Sequence, residues 1–123
     1  MKKQHIDKEY NIYLTNLYKE VLNEFKMKNI SLKHEIELYF PTYKEDDCYM
    51  KANATRFYYR IDVFPSIIIN ESLKENEIKD IFKHEIAHII EFDRLGKMSG
   101  HGKQFKNLCF ELWNDRNIGN ATI

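Results

Sequence analysis

Residues 82–105, FKHEIAHIIEFDRLGKMSGHGKQF, carry three of the chain's five histidines, and a glutamate directly follows the first of them. Ile78, Ile81, Phe82, Ile86, Ala87, Ile89, Ile90 and Phe92 leave almost no wholly polar face. That spacing predicts a helix that runs to about Leu95 and lies inside the domain. Ser72 followed by Glu75 has the spacing of a capping box and predicts where the helix starts. Into this apolar helix the sequence places His84, Glu85 and His88, and burying three polar groups is costly unless something satisfies them.

A metal ion would satisfy them. One helical turn stacks the imidazoles of His84 and His88 on the same face, close enough for both to reach one ion. Glu85 sits about 100 degrees round from His84, where a carboxylate can hold a water without ligating the metal. This is the H-E-x-x-H arrangement, two zinc ligands and a general base on one rigid support. The competing reading is a pair of core histidines satisfied by ordinary hydrogen bonds.

A catalytic zinc usually has three protein ligands and an open position. The extended metzincin pattern needs a glycine at position 91 and a histidine at position 94, where this chain has Glu91 and Arg94, so that class is excluded. A thermolysin-like site would draw on a later helix for Glu111. His101 is the preferred third ligand. Gly100 and Gly102 bracket it just before the amphipathic run Phe105, Leu108, Cys109, Leu112 and Trp113, and they allow a sharp turn at a helix start.

Outward from this region, apolar residues at Ile6, Tyr10, Tyr13, Leu14, Leu17, Tyr18, Val21, Leu22 and Phe25 predict an amphipathic first helix. HEIELYF, residues 34–40, alternates around Ile36, Leu38 and Phe40 and reads as a strand ended by Pro41. Residues 45–64 read as two extended segments around a turn near Asn53, and SIIIN, residues 66–70, as a short buried strand or strand end. The expected fold class is therefore α+β: an N-terminal helix, a small three- or four-stranded sheet, a buried H-E-x-x-H helix and a C-terminal helix. With 123 residues and no repeat or linker, residues 1–123 are expected to form one domain.

Lys plus Arg equals Asp plus Glu, 19 each, so no global charge draws the chain to DNA or an anionic membrane. Cys48 and Cys109 make no C-x-x-C pair or disulfide framework, and the N-terminus lacks the apolar core of a signal peptide. No apolar run approaches the roughly 18 residues that span a bilayer. A cytoplasmic protein without a membrane partner is the expectation.

HEIAH, a connection of a dozen residues and then GHGKQF resemble the SprT-like metallopeptidase domain, the catalytic module of Spartan-type proteases that degrade proteins crosslinked to DNA. The resemblance is strongest over residues 67–113 and architectural before that. It implies a zincin-like fold, zinc (Zn2+) as cofactor, His84, His88 and His101 as metal ligands, and Glu85 as the catalytic general base. Many members also carry a C-terminal zinc ribbon, for which these residues offer no cysteine pairs.

The implied reaction is hydrolysis of peptide bonds in a protein or peptide substrate, with zinc polarising the scissile carbonyl and Glu85 moving the proton. Glu91 and Asp93 are candidates to accept the second N–H of a ligand imidazole. A Tyr or Arg of RFYYRID, residues 56–62, is a candidate donor to the tetrahedral intermediate. By fold analogy, an exposed edge strand in the same region could align an extended substrate. Lys97, Lys103 and Lys106, with Arg56 and Arg60, form a modest basic neighbourhood, so weak, salt-sensitive binding of single-stranded DNA is the most expected of it. Two alternatives stand beside a general protease: a regulatory protease with one partner, and a non-catalytic binding module stabilised by zinc.

Overall fold

The computed structural model describes residues 2–30, 32–40, 52–55, 59–96, 100–114 and 118. Pro41, Cys48, Arg56, Phe57, Tyr58 and Lys97 lie outside them. The fold is α+β, as the patterning predicts.

Helix α1 spans Lys2–Met27. It buries Leu14, Leu17, Tyr18, Val21 and Phe25, the three-and-four spacing of one helical face. The helix is stopped by Asn29, which takes a left-handed φ of 60°, while Ile30 N–H reaches back to Phe25 O at 3.0 Å and Asn29 N–H to Lys26 O at 3.1 Å. These two bonds satisfy carbonyls that the helix end would otherwise leave without partners.

Three short strands follow, β1 (Glu37–Tyr39), β2 (Ala52–Thr55) and β3 (Arg60–Val63), in the order β1-β3-β2. β1 runs parallel to β3 and β2 antiparallel to it, with Leu38 and Ala54 both opposite Ile61. Alternation sends Ile61 and Val63 into the core, while Arg60 and Asp62 lie on the other face and pair with each other at 2.8 Å. Asn53 stands inside β2, opposite Asp62. No turn falls at Asn53, and a left-handed φ of 49° is found instead at Tyr59, directly before β3.

SIIIN is not a strand. Residues Pro65–Asn70 form a short helix, α2, with Pro65 at its first turn, where the missing N–H costs nothing. Three consecutive isoleucines favour a strand by propensity, but burying Ile68 in the core decides otherwise. The predicted capping box also fails. Ser72 belongs to the end of α2: its φ is 53°, its N–H bonds Ile69 O at 3.0 Å, and Leu73 N–H bonds Ile68 O at 3.3 Å.

Helix α3, Glu75–Leu95, starts two residues later than that signal implied, with Lys74 N–H donating to Glu77 Oε1 at 2.8 Å. Gly96, left-handed at φ 75°, ends it. α3 packs on α1 through Tyr18 and Phe82, whose rings meet edge to face at 5.4 Å. The rim of that contact is fastened by Lys79 to Glu20 at 2.6 Å and Lys83 to Glu24 at 3.2 Å. Helix α4, Lys103–Trp113, buries Phe105, Cys109, Leu112 and Trp113 as its periodicity predicts. Among the described residues no helix is long and apolar enough to cross a membrane.

Candidate metal centre

α3 lies so deep that every residue from His84 to Glu91 is buried. His84 and Glu91 are fully enclosed, Glu85 is 3 % exposed and His88 8 %. At the other end of the site, Gly100 takes a φ of 85° and Gly102 caps α4, and this turn carries His101 back over α3. His101 itself faces solvent. Its Nε2 lies 3.0 Å from His84 Nε2 and 3.1 Å from His88 Nε2. Glu111, the other candidate third ligand, points elsewhere and pairs with Arg94 at 3.0 Å.

The hydrogen bonds fix which atoms could bind an ion. His84 Nδ1 lies 2.8 Å from the carbonyl oxygen of Ile118, which can only accept, so the proton sits on Nδ1 and Nε2 keeps its lone pair. Nε2 is the atom turned toward the other two imidazoles. Burial first, and then the neighbouring histidines, pushes His88 down to about 3. Burial likewise pushes His84 down to about 4, against the Ile118 hydrogen bond, which raises it. Both rings are therefore neutral at pH 7, the form that ligates a metal.

Three imidazoles turning nitrogens toward one point cannot all satisfy one another, whereas a cation between them would satisfy all three. Tetrahedral bonds of 2.0–2.1 Å separate two nitrogens by about 3.3 Å, so the observed spacings need to open by only a few tenths of an ångström. Among the described residues, His84, His88 and His101 form a group that could hold a metal ion, their ligand atoms all within 4.8 Å of one another.

A model of the SprT-like family matches residues 13–119. The chain belongs to the SprT-like family. A comparison with curated protein sequences gives no match. The match extends the resemblance read from HEIAH and GHGKQF back through the sheet and most of α1, so the SprT-like character covers the scaffold as well as the histidines.

Phe105, one turn into α4, forms the floor of this SprT-like centre. Its ring stacks on His88 at 4.0 Å and 13°, and meets His84 at 4.9 Å and His101 at 5.6 Å edge-on. Neither Glu91 nor Asp93 accepts from Nδ1 of His84 or His88. His84 uses Ile118, and His88 Nδ1 has no partner among the described residues. Glu91 is buried, and burial of Cys109, followed by the charges of Glu91 and Glu85, raises that thiol to about 12.

Asp93 instead accepts the Tyr59 hydroxyl, which burial and this carboxylate hold above the ordinary tyrosine range. Arg60 is turned to Asp62 and lies over the Tyr39 ring at 4.7 Å. Of the described residues in RFYYRID, both proposed donors are thus engaged away from the histidines. Nothing in the sequence signalled Ile118, because a backbone carbonyl has no residue type. The burial of Glu91 did have a signal, its place between Ile90 and Phe92.

Proposed function

We propose that this SprT-like chain is a zinc-dependent endopeptidase that holds its metal through Nε2 of His84, His88 and His101. The convergence of these three nitrogens beside a buried Glu85 on the same helix carries the reading. Zinc bound there supplies a Lewis acid for the scissile carbonyl and makes water acidic enough to react near neutral pH. By helical geometry Glu85 lies about 60 degrees round from His88 and about 100 degrees from His84, at the edge of the ligand face. From that position its carboxylate takes a proton from the attacking water and returns it to the amide nitrogen. The C–O bond forms first, and the C–N bond then breaks as the nitrogen takes the proton, leaving a carboxylate and an amine.

Access supports the same reading. His101 is exposed while His84 and His88 are buried, so an open coordination position would face solvent on the His101 side. Lys103 and Lys106, both exposed just beyond His101, give that side local positive charge suited to proteins bound on nucleic acid. The free, buried Cys109 suits a reducing, cytoplasmic setting.

The test is to incubate zinc-loaded protein with several unfolded and DNA-binding proteins, with and without single-stranded DNA, and to identify products by mass spectrometry. Cleavage of several substrates supports a general endopeptidase, and stimulation by DNA supports DNA-associated targets. Zinc binding without cleavage of any of them contradicts the general protease and leaves the narrow regulatory protease or the non-catalytic module.

A further inference from the structure

Two ligands on one helix are oriented by different means. His88 is held flat against Phe105. His84 is held by a hydrogen bond to a residue 34 positions away, and that residue comes from beyond the last helix. α4 ends at Asn114, whose left-handed φ of 56° and N–H bond to Phe110 O at 2.7 Å turn the chain off the helix axis. Ile118 lies in the core with its side chain fully enclosed, and the same anchoring sets its carbonyl oxygen 2.8 Å from His84 Nδ1.

We infer that Ile118 is a positioning residue of the metal centre, its buried side chain serving as the anchor and its backbone carbonyl fixing the tautomer and orientation of His84. The inference rests on the metal-binding part of the zinc peptidase reading and adds that metal affinity depends on the docking of Ile118. A carbonyl can only accept, so it excludes the tautomer in which Nε2 carries the proton and His84 cannot ligate. It adds no charge to the site. By thermodynamic reciprocity, whatever factor docking contributes to metal affinity, metal contributes to docking. The centre is thus assembled from three separate places in the chain: α3, the turn carrying His101, and Ile118.

The carbonyl can be weakened without changing a side chain. Residues 109–123 are made synthetically with glycolic acid in place of Gly119 and joined to residues 1–108 at the native Cys109, which converts the Ile118 carbonyl from an amide to an ester, a poorer acceptor. The all-amide protein joined the same way is the reference, and Ile118→Val is the second variant, because it trims the anchor and keeps the amide carbonyl. The readouts are zinc affinity by chelator competition and thermal unfolding of the metal-free protein.

Orienting partners of metal ligands are typically worth about 10- to 100-fold in affinity. The ester protein is expected to bind zinc about 10-fold more weakly than the reference, while Ile118→Val stays within about threefold of it even if its metal-free form melts earlier. An ester protein with the affinity of the reference overturns the inference. So does Ile118→Val binding zinc more weakly than the ester protein, which would put the effect in side-chain packing and not in the carbonyl. A reference protein that binds no zinc overturns the metal reading itself, a result distinct from either.

Discussion

The Phe105 ring lies against the His88 imidazole, centroids 4.0 Å apart and planes 13° from parallel. Phe105 is fully enclosed and touches all three histidines, so it joins core to site. Phe105→Ala should cost about 3–5 kcal/mol of stability by the cavity it leaves, read from urea unfolding. Phe105→Leu should cost less but still weaken zinc binding, because an aliphatic side chain cannot hold the imidazole plane. Unchanged zinc affinity in the leucine variant would show that the stack does not orient His88.

His101 and Glu111 separate the two candidate third ligands. His101 is exposed, so His101→Ala should leave metal-free stability nearly unchanged while zinc affinity falls by more than about 100-fold, beyond what loss of an orienting partner costs. Glu111→Ala loses only an exposed pair with Arg94, worth at most about 1 kcal/mol, and should bind zinc normally. Chelator competition on both variants decides between them, and a larger loss in Glu111→Ala would reverse the assignment.

Cys109 gives a pH prediction. Burial, then the charges of Glu91 and Glu85, raises its folded pKa from 9.0 to about 12. A raised thiol pKa means that the folded state resists ionisation, so this contribution is fully present below pH 9 and is lost as pH rises from 9 toward 12. Native protein should therefore resist iodoacetamide at Cys109 at pH 8.5 and become labelled only on unfolding. Rapid labelling of Cys109 in the folded protein at that pH would contradict its enclosed placement.

Much of this structure can be read from the sequence where one residue type has one physical use. The three-and-four spacing from Leu14 to Phe25 and from Phe105 to Trp113 gave both flanking helices, and His84, His88 and His101 were legible because imidazoles at those spacings have few other roles. The failures are places where a local signal had two readings. Three β-branched residues in SIIIN suggested a strand, and tertiary burial of Ile68 overrode them. Ser72 suited both a helix start and a left-handed helix end, and nothing local distinguished them. The Ile118 carbonyl was beyond reach, since the acceptor is backbone and its placement depends on the whole fold.

Ser72 supplies its own test of that ambiguity. In the left-handed position a glycine removes the steric cost of Cβ, so Ser72→Gly should stabilise the protein by about 0.5–1 kcal/mol. As a helix N-cap, the same serine replaced by glycine would be slightly destabilising. Thermal unfolding of the single variant gives the sign. A lower melting temperature would return Ser72 to the start of α3.

The central claim is that Glu85 performs proton transfer at a metal held by the three histidines. The most direct measurement compares zinc-loaded protein with its Glu85→Gln variant on a protein substrate, counting new termini by mass spectrometry and zinc by elemental analysis of the same samples. Full zinc content in both, with cleavage reduced by about 10²–10⁴-fold in the variant, is the expected result, since general base catalysis is worth about that much. Equal cleavage by the two zinc-loaded proteins would contradict the account.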